Sequence, residues 1–349
     1  MSAQSFSSIP VVSLADLTAD RPSNASRLTT ICHEVGFFYL VDHGIEPEFF
    51  ERYFSLMASF FALPEAVKAT IDKRQSPHFR GWERVGAELT NNRPDYREQL
   101  DVSTENPAYG MDVDPTYLRL DGPNQWLSDE ILPGFHDIVN EFLERLGVVA
   151  NQLMVAMSIG LGLGEHHLRD LFGERPLSFA KLISYPPTPA GQAGVNAHHD
   201  AGFLTLLAQH GIGGLQAQNP AGEWIDVTPR PSTLVVNLGE MLQAITGNYF
   251  VATTHRVIAR EPRLSSGYFH GPDLRTSLDR LALDRSFAAA VAASPRHASA
   301  GFMSKRDDLL GGADVIASTT APVYGQQLWN YYVRSYPENV RAHYPDLVS

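Results

Sequence analysis

The sequence predicts a mainly β protein with flanking helices, whose core is an antiparallel barrel or a double-sheet jelly roll. From Ser178 to His270, short β-rich runs alternate with turns that contain Gly, Pro and Asn, which is typical of antiparallel sheets. On either side of this region, longer apolar patterns with helical spacing predict helices that flank the sheets. The predicted strands of the core cover residues 178–184, 203–208, 223–227, 233–237, 255–258 and 264–270.

The region before the core predicts an α/β arrangement. Residues 26–35 carry apolar side chains at the i, i+3, i+4, i+7 spacing of a helix, and residues 37–41 form an apolar run typical of a buried strand. A second helix is expected over residues 47–61, because its first residue is a proline, which suits the first turn of a helix. Residues 72–125 are rich in Pro, Asn and charge, and predict irregular structure with short strands around residues 98–103.

Two further helices are predicted outside the core. A long amphipathic pattern predicts a helix over residues 129–160 that supports the barrel, and residues 324–336 predict a C-terminal helix. The expected parts of the chain are an N-terminal α/β region over 1–125, a supporting helix and linker over 126–175, a jelly-roll domain over 176–275, and a C-terminal loop and helix cap over 276–349.

The composition is typical of a soluble enzyme with a large core. The chain has 349 residues, of which 44% are hydrophobic and 10% aromatic. Its net charge of −12 argues against nucleic acid and anionic membranes as partners, because both bind basic surfaces. The single cysteine, Cys32, excludes an internal disulfide and fits a reducing cytoplasm. The N-terminus lacks the pattern of a signal peptide, so we expect a cytoplasmic protein without membrane or nucleic-acid partners, and a monomer.

Three residues predict a metal site. His198 and Asp200 are separated by one residue, and side chains at i and i+2 of a strand point to the same face. His199 is expected to point away, while His255 lies far enough along the chain to return on another strand. Two histidines and one carboxylate form the facial triad of a non-haem Fe(II) site, whose open positions bind O₂ and an organic co-substrate. A His-x-Asp pair alone is also compatible with ordinary loop or core histidines.

A second pair of residues follows the predicted metal ligands. Arg263 and Ser265 again stand at i and i+2 in a strand-like run. A guanidinium offers a planar set of donors that suits a carboxylate, and the hydroxyl adds another donor. A turn near Glu261 and Pro262 would bring this pair back towards the metal. The predicted site therefore has a metal at one end and an anion-binding group at the other, which suits a dicarboxylate such as 2-oxoglutarate.

Several sequence segments stand in an order and spacing that identify a family. They are Ile9-Pro10-Val11-Val12, residues 35–45, Arg97-Glu98-Gln99-Leu100-Asp101, Ser184-Tyr185-Pro186-Pro187, His198-x-Asp200 with residues 203–207, Asn237-Leu238-Gly239-Glu240, His255-Arg256-Val257 and Arg263-x-Ser265. Over roughly residues 9–275, the chain resembles the isopenicillin N synthase family of Fe(II)/2-oxoglutarate-dependent oxygenases.

This resemblance implies a double-stranded β-helix (jelly roll) core with a C-terminal helical cap. It also implies Fe(II), 2-oxoglutarate and O₂ as cofactor and co-substrates, and oxidation of a small molecule with release of succinate and CO₂. Hydroxylation is the commonest outcome in the family, and desaturation and cyclisation are others. The site residues that it implies are His198, Asp200 and His255 for Fe(II), and Arg263, Ser265 and Tyr185 for 2-oxoglutarate.

Two features of the resemblance leave alternatives open. Ile183 stands where many relatives have Asn, which implies that one polar contact to the co-substrate is missing. Isopenicillin N synthase itself carries the Arg-x-Ser pair but takes no 2-oxoglutarate, so an oxidase or cyclase of that type is the main alternative. A non-catalytic metal-binding barrel is a further alternative, against which the intact triad argues.

Contacts to the primary substrate are expected at the rim of the barrel, because loops on a rigid scaffold carry recognition. Phe79 and Trp82 are candidate contacts, since the resemblance places the loop that contains them at the mouth of the site. Arg84, Arg93 and Arg97 follow closely. They either hold an acidic substrate or lie in a solvated loop. The C-terminal region around Tyr324 and Trp329 is the other candidate segment.

Overall fold

Two β-sheets pack face to face at the centre of the protein, and a computed structural model describes residues 5–298 and 323–345 of the chain. The larger sheet has eight strands and the smaller sheet four, and a two-stranded ribbon lies apart from both. The strands of the described residues are β1 Val11–Ser13, β2 Phe37–Val41, β3 Gly81–Glu83, β4 Leu89–Thr90, β5 Arg93–Pro94, β6 Glu98–Ser103, β7 Phe179–Tyr185, β8 Val195–His198, β9 Leu204–Gln209, β10 Leu215–Gln218, β11 Trp224–Asp226, β12 Leu234–Leu238, β13 His255–Val257 and β14 Arg263–His270.

The strands from β7 to β14 form a jelly roll. The strand order is β1-β2-β12-β9-β14-β7-β6-β3 in the larger sheet and β11-β10-β13-β8 in the smaller one. Apart from the β10–β11 hairpin, the chain therefore passes from one sheet to the other with each successive strand. N-terminal strands extend the larger sheet at both edges, and only β1 and β2 pair in parallel within it. This arrangement confirms the predicted double-stranded β-helix with an N-terminal α/β region.

Helices cover the outer face of the larger sheet. The longest of them, Phe135–Gly160, has the length and apolar composition of a membrane-spanning helix, but its apolar face packs in the core together with Leu28, Phe60 and Leu206. The helices of the described residues are α1 Leu14–Ala19, α2 Arg21–Glu34, α3 Pro47–Ala62, α4 Glu65–Lys68, α5 Phe135–Gly160, α6 His167–Asp170, α7 Glu240–Ile245, α8 Arg285–Ala292, α9 Pro295–Ala298, α10 Tyr324–Ser335 and α11 Pro337–His343.

A second, smaller apolar core lies between the two sheets. Tyr39 and Val235 enter it from the larger sheet, and Leu215 and Val257 from the smaller one. Alternation along each strand explains this division, because every second side chain points inward and the others point to the helices. The inner core gives the two sheets a fixed separation, and the candidate active site lies within this framework.

The structure differs from the sequence-based predictions at helix α5 and at strand β10, among other elements. Helix α5 begins at Phe135 and not near residue 129, because Pro133 and the left-handed Gly134 (φ 72°) interrupt the helical pattern. Strand β10 was not predicted, since its four residues are too few for a clear alternating pattern. Much of the predicted C-terminal loop falls at residues 299–322, outside the described residues.

Candidate active site

Three potential metal ligands meet at one end of the smaller sheet. His198 is the last residue of β8, His255 is the first residue of β13, and the two are direct partners in antiparallel register. Asp200 follows just beyond β8, and its Oδ1 lies 3.4 Å from Nε2 of His198 and 3.6 Å from Nε2 of His255. The three ligand atoms all lie within 4.8 Å of one another. Within residues 5–298 and 323–345, no other group of His, Cys, Asp and Glu has this geometry.

Backbone carbonyl groups orient both histidine rings. Nδ1 of His198 lies 2.8 Å from the carbonyl oxygen of Asn196, and Nδ1 of His255 lies 3.1 Å from that of Thr253. A carbonyl only accepts, so each Nδ1 must carry the proton and donate it. Each Nε2 then keeps a free lone pair, which is the form that binds a metal.

The carboxylate of Asp200 is held in the same way. Its Oδ2 accepts hydrogen bonds from the Nδ2 of Asn237 at 2.6 Å and from the hydroxyl of Thr205, so Oδ1 remains for a metal. Burial opposes the charge of Asp200, but the neighbouring His255 and His198 outweigh this effect and hold the pKa of the carboxyl far below its usual range. Burial also lowers the pKa of His255 to about 4, so its ring is neutral at pH 7. Burial opposes the charge of His198, but the hydrogen bond and the charge of Asp200 outweigh burial and raise the pKa of His198. A divalent cation would replace this proton, because metal binding requires an anionic carboxylate and neutral imidazoles.

His199 contacts residues outside this cluster, and because it lies beyond the last residue of β8, strand alternation does not determine its direction. Its Nε2 lies 2.8 Å from the hydroxyl of Thr254, and its Nδ1 lies 3.5 Å from Oε1 of Glu240. It is therefore not one of the three grouped ligands.

Arg263 and Ser265 face the space between the sheets from β14. Nη1 of Arg263 donates to the hydroxyl of Ser265 at 2.7 Å, and its Nη2 donates to Oε1 of Gln209 at 3.0 Å. The guanidinium is almost wholly buried, forms no ion pair with a described carboxylate, and leaves Nε without a hydrogen-bond partner in the described part of the chain. Burial lowers its pKa from the usual range. Gln209 was not foreseen, because nothing in the sequence shows that β9 and β14 are neighbours.

The surroundings of Arg263 suit the carboxylate of a bound dicarboxylate. A buried cation with an unused donor is costly unless an acceptor completes its hydrogen bonds. Tyr185 is the register partner of Arg263 across β7 and β14, and its ring centre lies 4.8 Å from the guanidinium carbon. Ile183 lies in the apolar core between the sheets, consistent with a missing polar contact at that position. The residues present therefore fit 2-oxoglutarate, which has a carboxylate at each end.

Phe79 and Trp82 do not border the site, which corrects the expectation for both. Phe79 is fully buried and packs against Tyr332, with 4.9 Å between ring centres, and against Trp329 of α10. Trp82 is buried in β3, and its Nε1 donates to Oε1 of Glu98 at 2.7 Å. Both rings belong to the outer core, because the loop that contains them folds under the C-terminal helices.

A cavity of about 370 Å³ opens over the metal ligands. His198 and Asp200 line it on one side, and Tyr324 and Tyr331 of α10 line it on another. Helix α10 was predicted from the sequence, and the structure shows that it closes the cavity. The volume is suitable for a small molecule beside the metal.

A network of buried charges forms the wall of the cavity away from the metal. Lys181 contacts Glu88 at 2.9 Å and Asp101 at 3.2 Å, and Arg97 contacts Glu88 at 2.6 Å and Asp95 at 3.2 Å. The hydroxyl of Tyr331 donates to Oε1 of Glu88 at 2.8 Å. Sequence analysis did not identify Lys181 or Glu88 as site residues. The sequence feature that could have indicated Lys181 was a single charged residue within strand β7, whose other residues are uncharged.

Comparison with known protein families gives two separate matches along the chain. Residues 9–129 match the N-terminal region described as non-haem dioxygenase in morphine synthesis, and residues 176–272 match the 2OG-Fe(II) oxygenase superfamily. The chain is 33% identical to the 2-oxoglutarate-dependent dioxygenase frbJ of Dothideomycetidae sp. (strain 11243), over 82% of this chain and 80% of that protein. It is 30% identical to a homoarginine-6-hydroxylase of Glycine max, over 80% of this chain and 90% of that protein.

Solved structures show the same architecture. A full-length Neurospora crassa protein, crystallised in complex with alpha-KG and thymine, superimposes with a TM-score of 0.69 at 26% identity. The match covers 80% of this chain and 91% of the Neurospora crassa chain.

Proposed function

Because this chain belongs to the 2OG-Fe(II) oxygenase superfamily, we propose that His198, Asp200 and His255 hold its Fe(II) and that Arg263 binds its 2-oxoglutarate. The protein is a non-haem Fe(II)- and 2-oxoglutarate-dependent dioxygenase that oxidises a small molecule. The isopenicillin N synthase-type oxidase and the non-catalytic barrel are not favoured, since the relatives are 2-oxoglutarate-dependent dioxygenases.

The assignment of the metal ligands depends on which atoms of the three residues remain without a protein partner. Both Nε2 atoms and one carboxylate oxygen converge, while Nδ1 of each histidine and Oδ2 of Asp200 are occupied by protein partners. This pattern supports a site with three protein ligands that leaves further coordination positions for the co-substrate and O₂. The bound metal and its co-substrates supply the oxidising chemistry, and the protein supplies ligands, orientation and a shielded cavity.

Arg263, Ser265 and Tyr185 have the proposed role of holding the far carboxylate of 2-oxoglutarate. The buried guanidinium keeps its Nε unused, and Ser265 and Gln209 fix the orientation of its two other nitrogens. The distal carboxylate of the co-substrate would then be fixed between the sheets, with its other end directed to the metal. This placement also excludes water from the co-substrate, because the surrounding core is apolar.

Hydroxylation is the proposed outcome, with desaturation or cyclisation as variants of the same reaction. The Glycine max relative is named for hydroxylation of homoarginine, and the Neurospora crassa structure contains thymine. Both compounds are small enough for a cavity of about 370 Å³. Thymine is uncharged and homoarginine is charged, so these two are the first compounds to test, within a wider panel of small molecules.

The experiment measures succinate released by the Fe(II)-loaded protein from 2-oxoglutarate, with mass spectrometry of the accompanying products. We expect succinate to require both Fe(II) and 2-oxoglutarate, and a true substrate to stimulate its release and to gain one oxygen atom. Substrate-dependent O₂ consumption that does not require 2-oxoglutarate would instead favour the oxidase. A protein that neither binds Fe(II) nor releases succinate would contradict the proposed function.

We further propose a cytoplasmic monomer that binds neither nucleic acid nor membranes, with the four parts of the chain acting as one catalytic unit. The net charge of −12 supports this proposal, and so does the buried, unpaired Cys32, whose pKa burial raises. Light scattering of the purified protein tests the oligomeric state. Retention on heparin or on anionic vesicles would contradict the proposed absence of such partners.

A further inference from the structure

We propose that Arg97 recognises the primary substrate, and that this substrate is an uncharged molecule with an apolar part and a carbonyl oxygen that accepts a hydrogen bond from the guanidinium. The inference rests on the proposed function, because it concerns the cavity beside the proposed Fe(II) ligands. We thereby name a residue that binds the substrate and the chemical class of that substrate. Membership of the family determines neither of them.

In the charged wall of the cavity, Lys181 and Glu88 already have all the hydrogen-bond partners that they can hold. Lys181 uses its ammonium on Glu88, Asp101 and the hydroxyl of Tyr336. Glu88 accepts at both carboxylate oxygens, from Lys181, Arg97 and Tyr331. These two residues therefore have no capacity left for a ligand.

Arg97 differs, because most of its donors are unused. Among the described residues, its side chain makes one hydrogen bond, which Nη2 donates to Oε2 of Glu88 at 2.6 Å. Its Nε is buried without a partner in the described part of the chain, although the side chain is only 7% exposed and the residue lines the cavity. A buried guanidinium has five N–H groups, and leaving donors unpaired away from water is unfavourable. A ligand with an acceptor oxygen would satisfy them.

The charges around Arg97 favour a neutral acceptor over an anionic ligand. Two carboxylates, of Glu88 and Asp95, already lie within 3.2 Å of Arg97. In the connected network, each of the three cations has carboxyl partners: Lys73, Lys181 and Arg97 contact Glu83, Glu88, Asp95 and Asp101. Another buried anion would meet no uncompensated positive charge here. Arg334, a further cation of the cavity wall, is already engaged in another interaction.

Apolar side chains line another part of the same cavity. Phe179 and Phe269 stack with 4.5 Å between their ring centres and both line the cavity, together with Leu89, Met241 and Leu328. These apolar and aromatic side chains form one part of the wall, and the rest of the lining is mainly polar, including Thr90, Asn91, Glu240 and His270. The apolar part suits a ring or chain in a substrate body that also carries polar atoms. The carbonyl would fix the orientation of such a body against Arg97, so that one C–H bond is presented to the metal site.

The test compares three probes that share one ring skeleton. They are α-tetralone, which has a ketone; tetralin, which lacks the carbonyl; and the carboxylate derivative of tetralin, which is an anion. Binding is measured on protein loaded with Mn(II) and 2-oxoglutarate, from the broadening that Mn(II) causes in the proton resonances of each probe. This signal also reports whether the probe binds near the metal.

We expect α-tetralone to bind about 10-fold or more tightly than either tetralin or the carboxylate. In R97K, which keeps the positive charge towards Glu88 but loses the planar set of donors, this preference should disappear. The matched control is R84K, because Arg84 is a nearby exposed arginine that does not line this cavity, and it should keep the preference. Thermal unfolding of each variant shows whether it is folded.

Three results would overturn the inference. They are equal binding of the three probes, no binding of any of them, and a preference for the carboxylate. If R97K does not fold, the ranking of the probes on the unaltered protein still decides the chemical class. Failure to load Mn(II) and 2-oxoglutarate would instead overturn the proposed function, and with it this inference, so the two failures are distinguishable.

Discussion

His198 and His255 face each other directly across the antiparallel strands β8 and β13. Their ring centres lie 4.3 Å apart, and a backbone carbonyl two residues before each histidine accepts from its Nδ1. The pairing register of the smaller sheet therefore determines the distance between the two Nε2 atoms. A shift of the register by one residue would turn one ring to the opposite face of the sheet.

The first prediction concerns the co-substrate. R263L should raise the apparent KM for 2-oxoglutarate by roughly 30-fold or more, because losing a buried partner of a carboxylate costs about 2–5 kcal/mol. The measurement is the rate of succinate release as a function of 2-oxoglutarate concentration. The control is R256L, since Arg256 lies on β13 with its guanidinium over the Trp224 ring, away from the space between the sheets.

An unchanged KM in R263L would remove Arg263 from the co-substrate site. A similar rise in R256L would show that loss of any arginine near the sheets disturbs binding, and would remove the support for a specific role.

The second prediction concerns Trp82, which lies in the outer core and not at the cavity. W82A should lower the free energy of unfolding by about 3–5 kcal/mol, because it removes a large buried ring. W82F loses the hydrogen bond to Glu98 and a smaller part of the buried ring, so it should cost less than W82A, about 1–3 kcal/mol. Urea unfolding gives both values. In the folded variants, the ratio of succinate to oxidised product should stay that of the unaltered protein, and a raised ratio would restore Trp82 as a substrate contact.

The third prediction concerns the charged wall of the cavity. Burial opposes the charge of Glu88, but Arg97 and Lys181 outweigh it and hold the pKa of this carboxyl well below its usual range. A carboxyl with a lowered pKa in the folded state contributes stability above its unfolded pKa of about 4.3, and this stability is lost as the pH falls further. E88Q should therefore cost about 3–5 kcal/mol at pH 7 and progressively less below about pH 4.3.

Urea unfolding of E88Q and the unaltered protein between neutral and acidic pH measures this difference. The control is E338Q, because Glu338 lies on the surface and its contact with Arg74 is long, at 3.4 Å, so it should change stability by less than about 1 kcal/mol at any pH. A difference for E88Q that persists unchanged at acidic pH would show that Glu88 is not held in its charged form by its neighbours.

The parts of the fold that were predictable are those with a strong local pattern. Strand β2 and helix α3 have continuous apolar or amphipathic runs, and both occur where they were expected. Strand β10 has only four residues, Leu215–Gln218, directly after two glycines, and its pairing with β11 and β13 depends on distant residues. Short strands of this kind are defined by their neighbours and not by their own sequence.

The site residues also differ in how far the sequence could predict their positions. Spacing within one strand predicted that Arg263 and Ser265 lie side by side, because alternation is a local property. The position of Phe79 could not be predicted, since its backbone has a positive φ of 59° and turns the ring under α10. The wall around Arg97 and Lys181 depends on pairing between β6 and β7, which no local pattern encodes.

The most direct test of the proposed metal site is the amount of Fe(II) bound by four proteins after anaerobic equilibrium dialysis. The unaltered protein and H199A should each retain one Fe(II) per chain, because His199 contacts Thr254 and lies outside the ligand cluster. H198A and H255A should lose most of the metal, since each removes one of three ligands. Retention of Fe(II) by H255A together with its loss from H199A would contradict the account.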